Sequence, residues 1–180
     1  MIIYHGKSKG GLPLIVRYPV IKDTGIMRRY INALSREKTY IVLQGEQISY
    51  KEEKKYLENC LSGIKNNSSV RLLAFSDGKL IGNSDIVLGK GAMAHVGHFG
   101  IVVAKEFRGQ GIGTLLTQLT LQEAKKHLKG IHIVILGVFA SNPAAIRLYK
   151  KFGFRHYGTI PKGLYRRGKY IDDLYMYRRI

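Results

Sequence analysis

Phe99-Gly-Ile-Val-Val-Ala-Lys-Glu-Phe-Arg-Gly-Gln-Gly-Ile-Gly-Thr114 decides how this chain is read. The stretch begins as a short apolar strand, runs into a glycine-rich turn and ends in the first turn of a helix. Glycines alternate at positions 109, 111 and 113, where a bend or a close approach favours a residue without Cβ. The amides of such a turn, continued by the unpaired N–H groups of a helix start, form a cradle for anionic oxygen. Arg108 sets a permanent cation at its lip. A diphosphate-binding loop is the expectation.

Three such loops can be compared. The nucleotide P-loop ends in Gly-Lys-Ser/Thr, whereas Gly113 is followed by Thr114 with no lysine. The dinucleotide fingerprint asks for an acidic residue about 20 positions further on, and that region reads His127-Leu-Lys-Gly-Ile131. Arg108-Gly109-Gln110-Gly111-Ile112-Gly113 fits the third pattern, Arg/Gln-x-x-Gly-x-Gly/Ala. In this it resembles the pyrophosphate loop of the GNAT N-acetyltransferases, which bind acetyl-CoA. A glycine-rich turn with no ligand satisfies the same residues.

A second stretch extends the resemblance: Asn142-Pro-Ala-Ala-Ile-Arg-Leu-Tyr-Lys-Lys-Phe-Gly-Phe154. Capping explains part of it, with Asn142 at the N-cap, Pro143 at the first helical position and Gly153 at the stop. Ile146 and Tyr149, three apart, share one face. Capping does not explain the order of glycine loop, helix, strand and then Asn-x-x-Ala-x-x-Leu-Tyr-x-x-x-Gly-Phe. That order is similar to the acetyltransferase family over roughly residues 70–178. The tail, Gly158-Thr-Ile160 and then Gly163 to Met176, resembles the branch containing amino-acid, phosphinothricin, spermidine and ribosomal-protein N-acetyltransferases. The resemblance implies an α/β fold of one acyl-CoA N-acyltransferase domain over residues 1–180.

Composition agrees with that scale. A chain of 180 residues suits one domain with its own core, and 45% apolar content argues against disorder. No apolar run follows Met1, and no stretch approaches the roughly 20 apolar residues of a membrane span. A cytoplasmic protein without a membrane partner is expected. Cys60 is the only cysteine, which excludes an internal disulfide.

Charge is the unusual quantity. Lys and Arg number 30 against 12 Asp and Glu, a formal +18, and such a field attracts polyanions. CoA is one, but a single cofactor needs only a local patch. Ten basic residues lie between Arg147 and Arg179 against two aspartates, so a nucleic-acid or ribosomal partner stands beside a merely solvated basic surface. Tyrosines near the C terminus could stack on bases or pack a core. A homodimer is compatible with all of this.

Leu14–Tyr18 reads as a first strand stopped by Pro19. Asp23 or Thr24 caps a helix to about Lys38 with Ile26, Tyr30 and Leu34 on one stripe. Residues 39–48 are ambiguous. Ser49 and Glu52 have capping-box spacing for a second helix to about Ile64. Strands 70–75 and 80–88 flank Asp77-Gly78, a hairpin signal, and His95–Val103 leads to the glycine loop. A helix from about Gly111 to Leu128 precedes Ile131–Val138, a continuous apolar strand expected to be buried on both faces. Two strands, about 154–160 and 170–178, end a mixed sheet with helices on both faces.

Acetyl transfer to an amine, the activity the resemblance implies, needs a held thioester, a polarised carbonyl, a deprotonated amine and a protonated leaving thiolate. The resemblance lays the pantetheine arm along Ile101, Val102 and Val103 as an added strand, where the central strands splay apart. The N–H of Val102 or Val103 then serves as oxyanion donor; the same valines also read as core. Tyr149 falls at the family's general acid. A phenol with pKa about 10 protonates a thiolate near 8.5 only if the site favours phenolate or transfer is concerted. Cations of the basic C-terminal segment would assist, and the ring also reads as core.

His98 stands where several relatives carry a carboxylate, and an imidazole with pKa about 6.5 is a competent base. Alternation puts it on the face of Gly100 and Val102, with His95 opposite. Loss of the proton through water or to another residue stays open. Asn142 either bonds the pantetheine or strand opening, or caps its helix. No metal is implied. The motif holds no cysteine to carry an acetyl group, so direct transfer in a ternary complex is expected.

The acceptor is an amino acid or other small amine first, and a protein N-terminus or ribosomal protein second. A non-catalytic acyl-CoA or RNA-associated module is the rival class. A polyamine would need carboxylates, available at Glu46, Glu52, Glu53, Asp85, Asp172 and Asp173. A free amino acid would need Arg or Lys for its carboxylate.

Overall fold

Asp77 and Gly78 both take positive φ, 46° and 73°, and this turn folds β3 (Ser69–Ser76) back on β4 (Lys79–Leu88). The computed structural model describes residues 1–180. The hairpin lies within one eight-stranded sheet. Before it come β1 (Ile2–Lys7) and β2 (Pro13–Arg17). After it come β5 (Val96–Val103), β6 (Ile133–Phe139), β8 (Lys169–Arg179) and, at the edge, β7 (Arg155–Arg166). Only β5 and β6 run parallel. The sheet is mixed, as the sequence implies.

Helices cover both faces. α1 (Thr24–Arg36) and α2 (Tyr50–Lys65) pack Met27, Tyr30, Leu34 and Leu57 on Leu73 and Leu80. On the opposite face, α3 (Ile112–His127) and α4 (Pro143–Lys151) pack Ile112, Leu116 and Tyr149 against Leu72, Phe99 and Val138. Alternation along β3 serves both layers: Val70, Leu72 and Ala74 join the α3 core, while Leu73 joins the α1/α2 core. Each large aliphatic side chain so buried contributes about 1.5–3 kcal/mol. No helix is long and apolar enough to cross a membrane.

Five features differ from the sequence reading, and the capping box of α2 agrees with it. β1 pairs with β2 although nothing marked it as a strand. Asp23 precedes α1 without capping it; its carboxylate takes both Arg17 Nη1 and Nη2 at 2.7 Å and the Val20 amide at 2.8 Å. The capping box of α2 forms, with Glu52 N donating to Ser49 Oγ and Ser49 N to Glu52 Oε2. β6 is buried on one face only: Val134, Leu136 and Val138 are enclosed, but Ile133 and Ile135 are half-buried and Gly137 is exposed, because neither helical layer covers that side. The terminal hairpin is longer than expected and turns at Arg167-Gly168, both with positive φ. Residues 39–48 form a loop, and His95 sits in the turn before β5 rather than in the strand.

Candidate active site

β5 and β6 are hydrogen-bonded neighbours only from Val96 to His98, against Ile133 to Ile135. Beyond that point β5 stays on β4 as far as Val103, and β6 stays on β8. The two strands therefore part, and the inner edge of β5 is left without a ladder partner. A cleft of about 750 Å³ fills the gap, walled by Phe99–Val103 on one side and Gly137–Phe139 on the other. An unpaired strand edge of this kind accepts an extended ligand through main-chain hydrogen bonds.

The glycine loop stands at the end of this cleft. Gly109 and Gly111 have φ of 78° and 83°, the left-handed region in which a side chain is strained. Gly111 also caps α3, so the amides of Ile112, Gly113 and Thr114 open the helix without intrahelical partners. Gly113 has a different reason from the bend expected of it. It is helical, and its bare Cα faces Leu148 of α4, whose Cδ2 lies 3.5 Å from where a Cβ would be. Ile112 is buried in the core at 1% exposure, and Gln110 Nε2 donates to Glu106 O at 3.2 Å.

Two cations are arranged unexpectedly. Arg108 turns away from the loop: its Nε donates to Val103 O at 2.9 Å and its Nη2 pairs with Glu37 at 3.1 Å. Lys9, in the β1–β2 turn, lies against Gly111 so closely that a Cβ there would come within 2.9 Å of Lys9 Cβ. Because β1 is not evident from its residues, nothing in the chain's local pattern points to this lysine.

Tyr149 lines the cleft from α4, its ring edge-on to Phe99 at 6.1 Å and tilted to Phe154 at 5.9 Å. Burial pushes its phenol up to about 12. Asn142 also lines the cleft, and its Oδ1 accepts the Ala145 amide at 3.2 Å, so the helix-capping role is filled. Ile101, Val102, Val103, Arg108 and Gly113 join them on the wall. The carbonyls of Val102 and Val103 are taken by the Tyr30 hydroxyl and by Arg108. His98 lies outside the cleft: it is exposed, hydrogen-bonds to no side chain, and is the last β5 residue paired with β6.

A carboxylate stands where the imidazole does not. Asp85 of β4 lines the cleft opposite Gly100, with Oδ2 accepting from Arg71 Nη2 at 2.7 Å. Arg71 also donates from Nη2 to the Tyr56 hydroxyl. Burial drives the Asp85 carboxyl above the ordinary range despite the opposing guanidinium. Sequence reasoning named Asp85 only as a generic acid and passed over Arg71; an arginine in a run such as Val70-Arg-Leu-Leu-Ala74 was the available signal.

The roof of the cleft is loop 39–48, held from two sides. Arg166 Nε donates to Lys38 O at 2.9 Å, Arg167 Nη2 to Glu37 O at 2.9 Å, and the Arg166 guanidinium lies 4.1 Å over the Tyr40 ring. Tyr40 in turn donates to Ser141 O at 2.8 Å.

The acetyltransferase (GNAT) family profile matches residues 28–154, which include most of the cleft, the glycine loop and α4. This chain belongs to that family. Among its GNAT relatives, the L-amino acid N-acetyltransferase AaaT of Escherichia coli is 34% identical over 109 residues, 60% of this chain and 67% of the relative. A GNAT acetyltransferase structure from Streptococcus pneumoniae superposes with a TM-score of 0.84 at 28% identity, over 93% of this chain and 99% of its own. The spermidine N-acetyltransferase of Vibrio cholerae, solved with CoA and spermine, has a TM-score of 0.72 at 25% identity, covering 92% and 95% of the two chains.

Proposed function

We propose that this GNAT enzyme transfers the acetyl group of acetyl-CoA directly to a primary amine, with an amino acid or similar small amine as acceptor. The parted β5 and β6 strands carry the reading. They leave an unpaired β5 edge from Phe99 to Val103, between a left-handed glycine loop and a buried tyrosine. The residues fit such a cosubstrate. Gly109, Gly111 and the α3 N-terminus would take its diphosphate, Lys9 would supply a cation beside them, and β5 from Ile101 to Val103 would pair with its amides. The similarity to amino-acid and spermidine acetyltransferases supports a small amine.

The chain's own groups then divide the work. A main-chain N–H at Val102 or Val103 polarises the thioester carbonyl, the amine nitrogen attacks its carbon, and the C–S bond breaks. Tyr149, protonated at neutral pH, gives the leaving sulfur its proton in a concerted step. Of the two protons that an ammonium nitrogen loses, Asp85 takes the first. The second offsets the one delivered by Tyr149, so one proton is released per turnover. Asp85 is preferred to His98 because it lines the cleft and His98 does not.

Thiol release from acetyl-CoA, measured over amino acids, polyamines and N-terminal peptides, tests the reading. Turnover with small amines and product acetylated on nitrogen is expected; tight acetyl-CoA binding without turnover of any amine would overturn it. The basic hairpin of β7 and β8 favours a second reading, a ribosomal acceptor. Arg155, Lys162, Arg167 and Lys169 are exposed there beside Tyr165 and Tyr170. Acetylation confined to ribosomal-protein N-termini, with salt-sensitive RNA binding, would favour it. A cytoplasmic setting accords with either acceptor.

A further inference from the structure

Behind the cleft lies a second chamber, of about 650 Å³, roofed by α1, α2 and loop 39–48. Its walls are mostly apolar, drawn chiefly from Met27, Ile31, Leu43, Ile48, Leu73 and Leu80, with the carboxyl groups of Glu52 and Glu53 on the α2 side. Val42, Tyr56, Arg71 and Asn83 line both spaces, so these four residues form the junction between them. Hydrogen-bonding capacity is left over at this junction. Arg71 is only 5% exposed, yet both of its hydrogen bonds leave from Nη2, and Nε and Nη1 have no protein acceptor. Asn83 Oδ1 is enclosed without a partner. Asp85 Oδ1 accepts no side-chain donor and points at Gly100.

Buried polar groups in folded proteins are nearly always paired, and burying a charge in a sheet is strongly unfavourable unless its partners are complete. Unused donors on one side and unused acceptors on the other describe the complement of a zwitterion. We infer that the junction of Arg71, Asn83 and Asp85 reads the head of a free α-amino acid, and that the chamber behind it receives an uncharged, apolar side chain. The inference rests on the proposed acetyl transfer and narrows its acceptor. The carboxylate accepts from Arg71 in a charge-assisted bond, and the amino group donates to Asp85 Oδ1 and Asn83 Oδ1. Asn83 pairs with Val102 and Asp85 with Gly100, which holds that amino group beside the β5 edge where the thioester would lie. A polyamine or a peptide N-terminus brings no carboxylate to Arg71. An acidic side chain would meet Glu52 and Glu53 in the chamber, and a cationic one would give up its hydration for a Glu53 carboxyl whose ionisation burial opposes.

The test compares leucine, leucinamide and 3-methylbutylamine as acceptors with acetyl-CoA, alongside glutamate and lysine. Loss of a hydrogen bond to a charged group predicts kcat/KM roughly 10- to 100-fold lower for leucinamide and the amine than for leucine. In Arg71→Gln that gap should close. Should Arg71→Gln fail to fold, Ile31→Trp tests the chamber, lowering kcat/KM for leucine and phenylalanine while sparing alanine. Equal rates on leucine and leucinamide in the wild type overturn the inference, as does a preference for glutamate or lysine. Turnover of peptides or polyamines alone overturns this inference and leaves acetyl transfer standing. No turnover of any amine overturns both.

Discussion

Gly100 faces Asp85 across the β4–β5 ladder, and a Cβ at position 100 would lie 2.8 Å from Asp85 Oδ1. The glycine is there for the carboxylate, since its own backbone is not in the left-handed region. Gly100→Ala should leave the fold intact but push the Asp85 side chain off its position beside Arg71. A displacement of that size at a reacting group lowers rates by roughly 10- to 100-fold. Steady-state kcat/KM with an unchanged thermal midpoint is the expected result, and an undiminished rate would remove Asp85 from the reaction.

Tyr149→Phe deletes a hydroxyl that hydrogen-bonds to nothing in the protein and keeps the ring contacts with Phe99 and Phe154. Loss of the general acid predicts a fall in kcat of roughly 10²–10⁴-fold with little change in acetyl-CoA affinity. A kcat equal to wild type would make Tyr149 a packing residue only.

Acetyl-CoA affinity should follow the loop rather than the tyrosine. Gly111→Val forces a β-branched residue to a φ of 83° and against Lys9, so calorimetry on the folded variant should show binding weakened by an order of magnitude or more. Lys9→Ala removes one cation beside the same loop, and a smaller, salt-dependent loss is expected.

The base can be identified by pH. Burial raises Asp85 above its ordinary value near 3.8, so kcat/KM should rise with pH through a limb displaced upward from that value. Asp85→Asn should abolish the limb, with partial recovery at high pH where the free amine supplies itself. His98→Ala should preserve it. The reverse pattern would return the role to His98.

Asp23 governs a different window. Burial opposes its charge, but Arg17 and the Val20 amide outweigh that and hold its pKa below 3.8. A depressed carboxyl stabilises the fold above its unfolded pKa, and that stability is lost as pH falls through the folded value. Asp23→Asn should therefore lose about 1–3 kcal/mol at neutral pH and converge with wild type in strong acid, as denaturant titrations at several pH values would show.

Where local chemistry determines structure, the sequence was legible. The capping box of Ser49 and Glu52, the Asp77-Gly78 turn and the capped helix at Asn142 each depend on a few neighbouring residues. The glycine loop was legible for the same reason, although Gly113 serves helix packing rather than a bend. The site's polar half was not. Arg71, Asp85 and Asn83 come together through strand register, and Lys9 reaches Gly111 only because β1 pairs with β2. Asp23 shows the limit from the other side: it sits where a cap belongs, but the arginine six residues earlier competes for it and wins.

The strapping of loop 39–48 by Arg166, Arg167 and Tyr40 separates the molecule into parts with different evolutionary freedom. Apart from Lys9, the residues that would hold the acetyl donor are contributed by segments after Val96, whereas most of the ceiling over the acceptor comes from residues before Lys65. Substitutions in that ceiling can reshape the choice of amine without disturbing the glycine loop, provided the main-chain carbonyls of Glu37 and Lys38 remain to receive the arginines. Swapping the ceiling segment between relatives is thus a route to new acceptor preferences on an unchanged transfer engine.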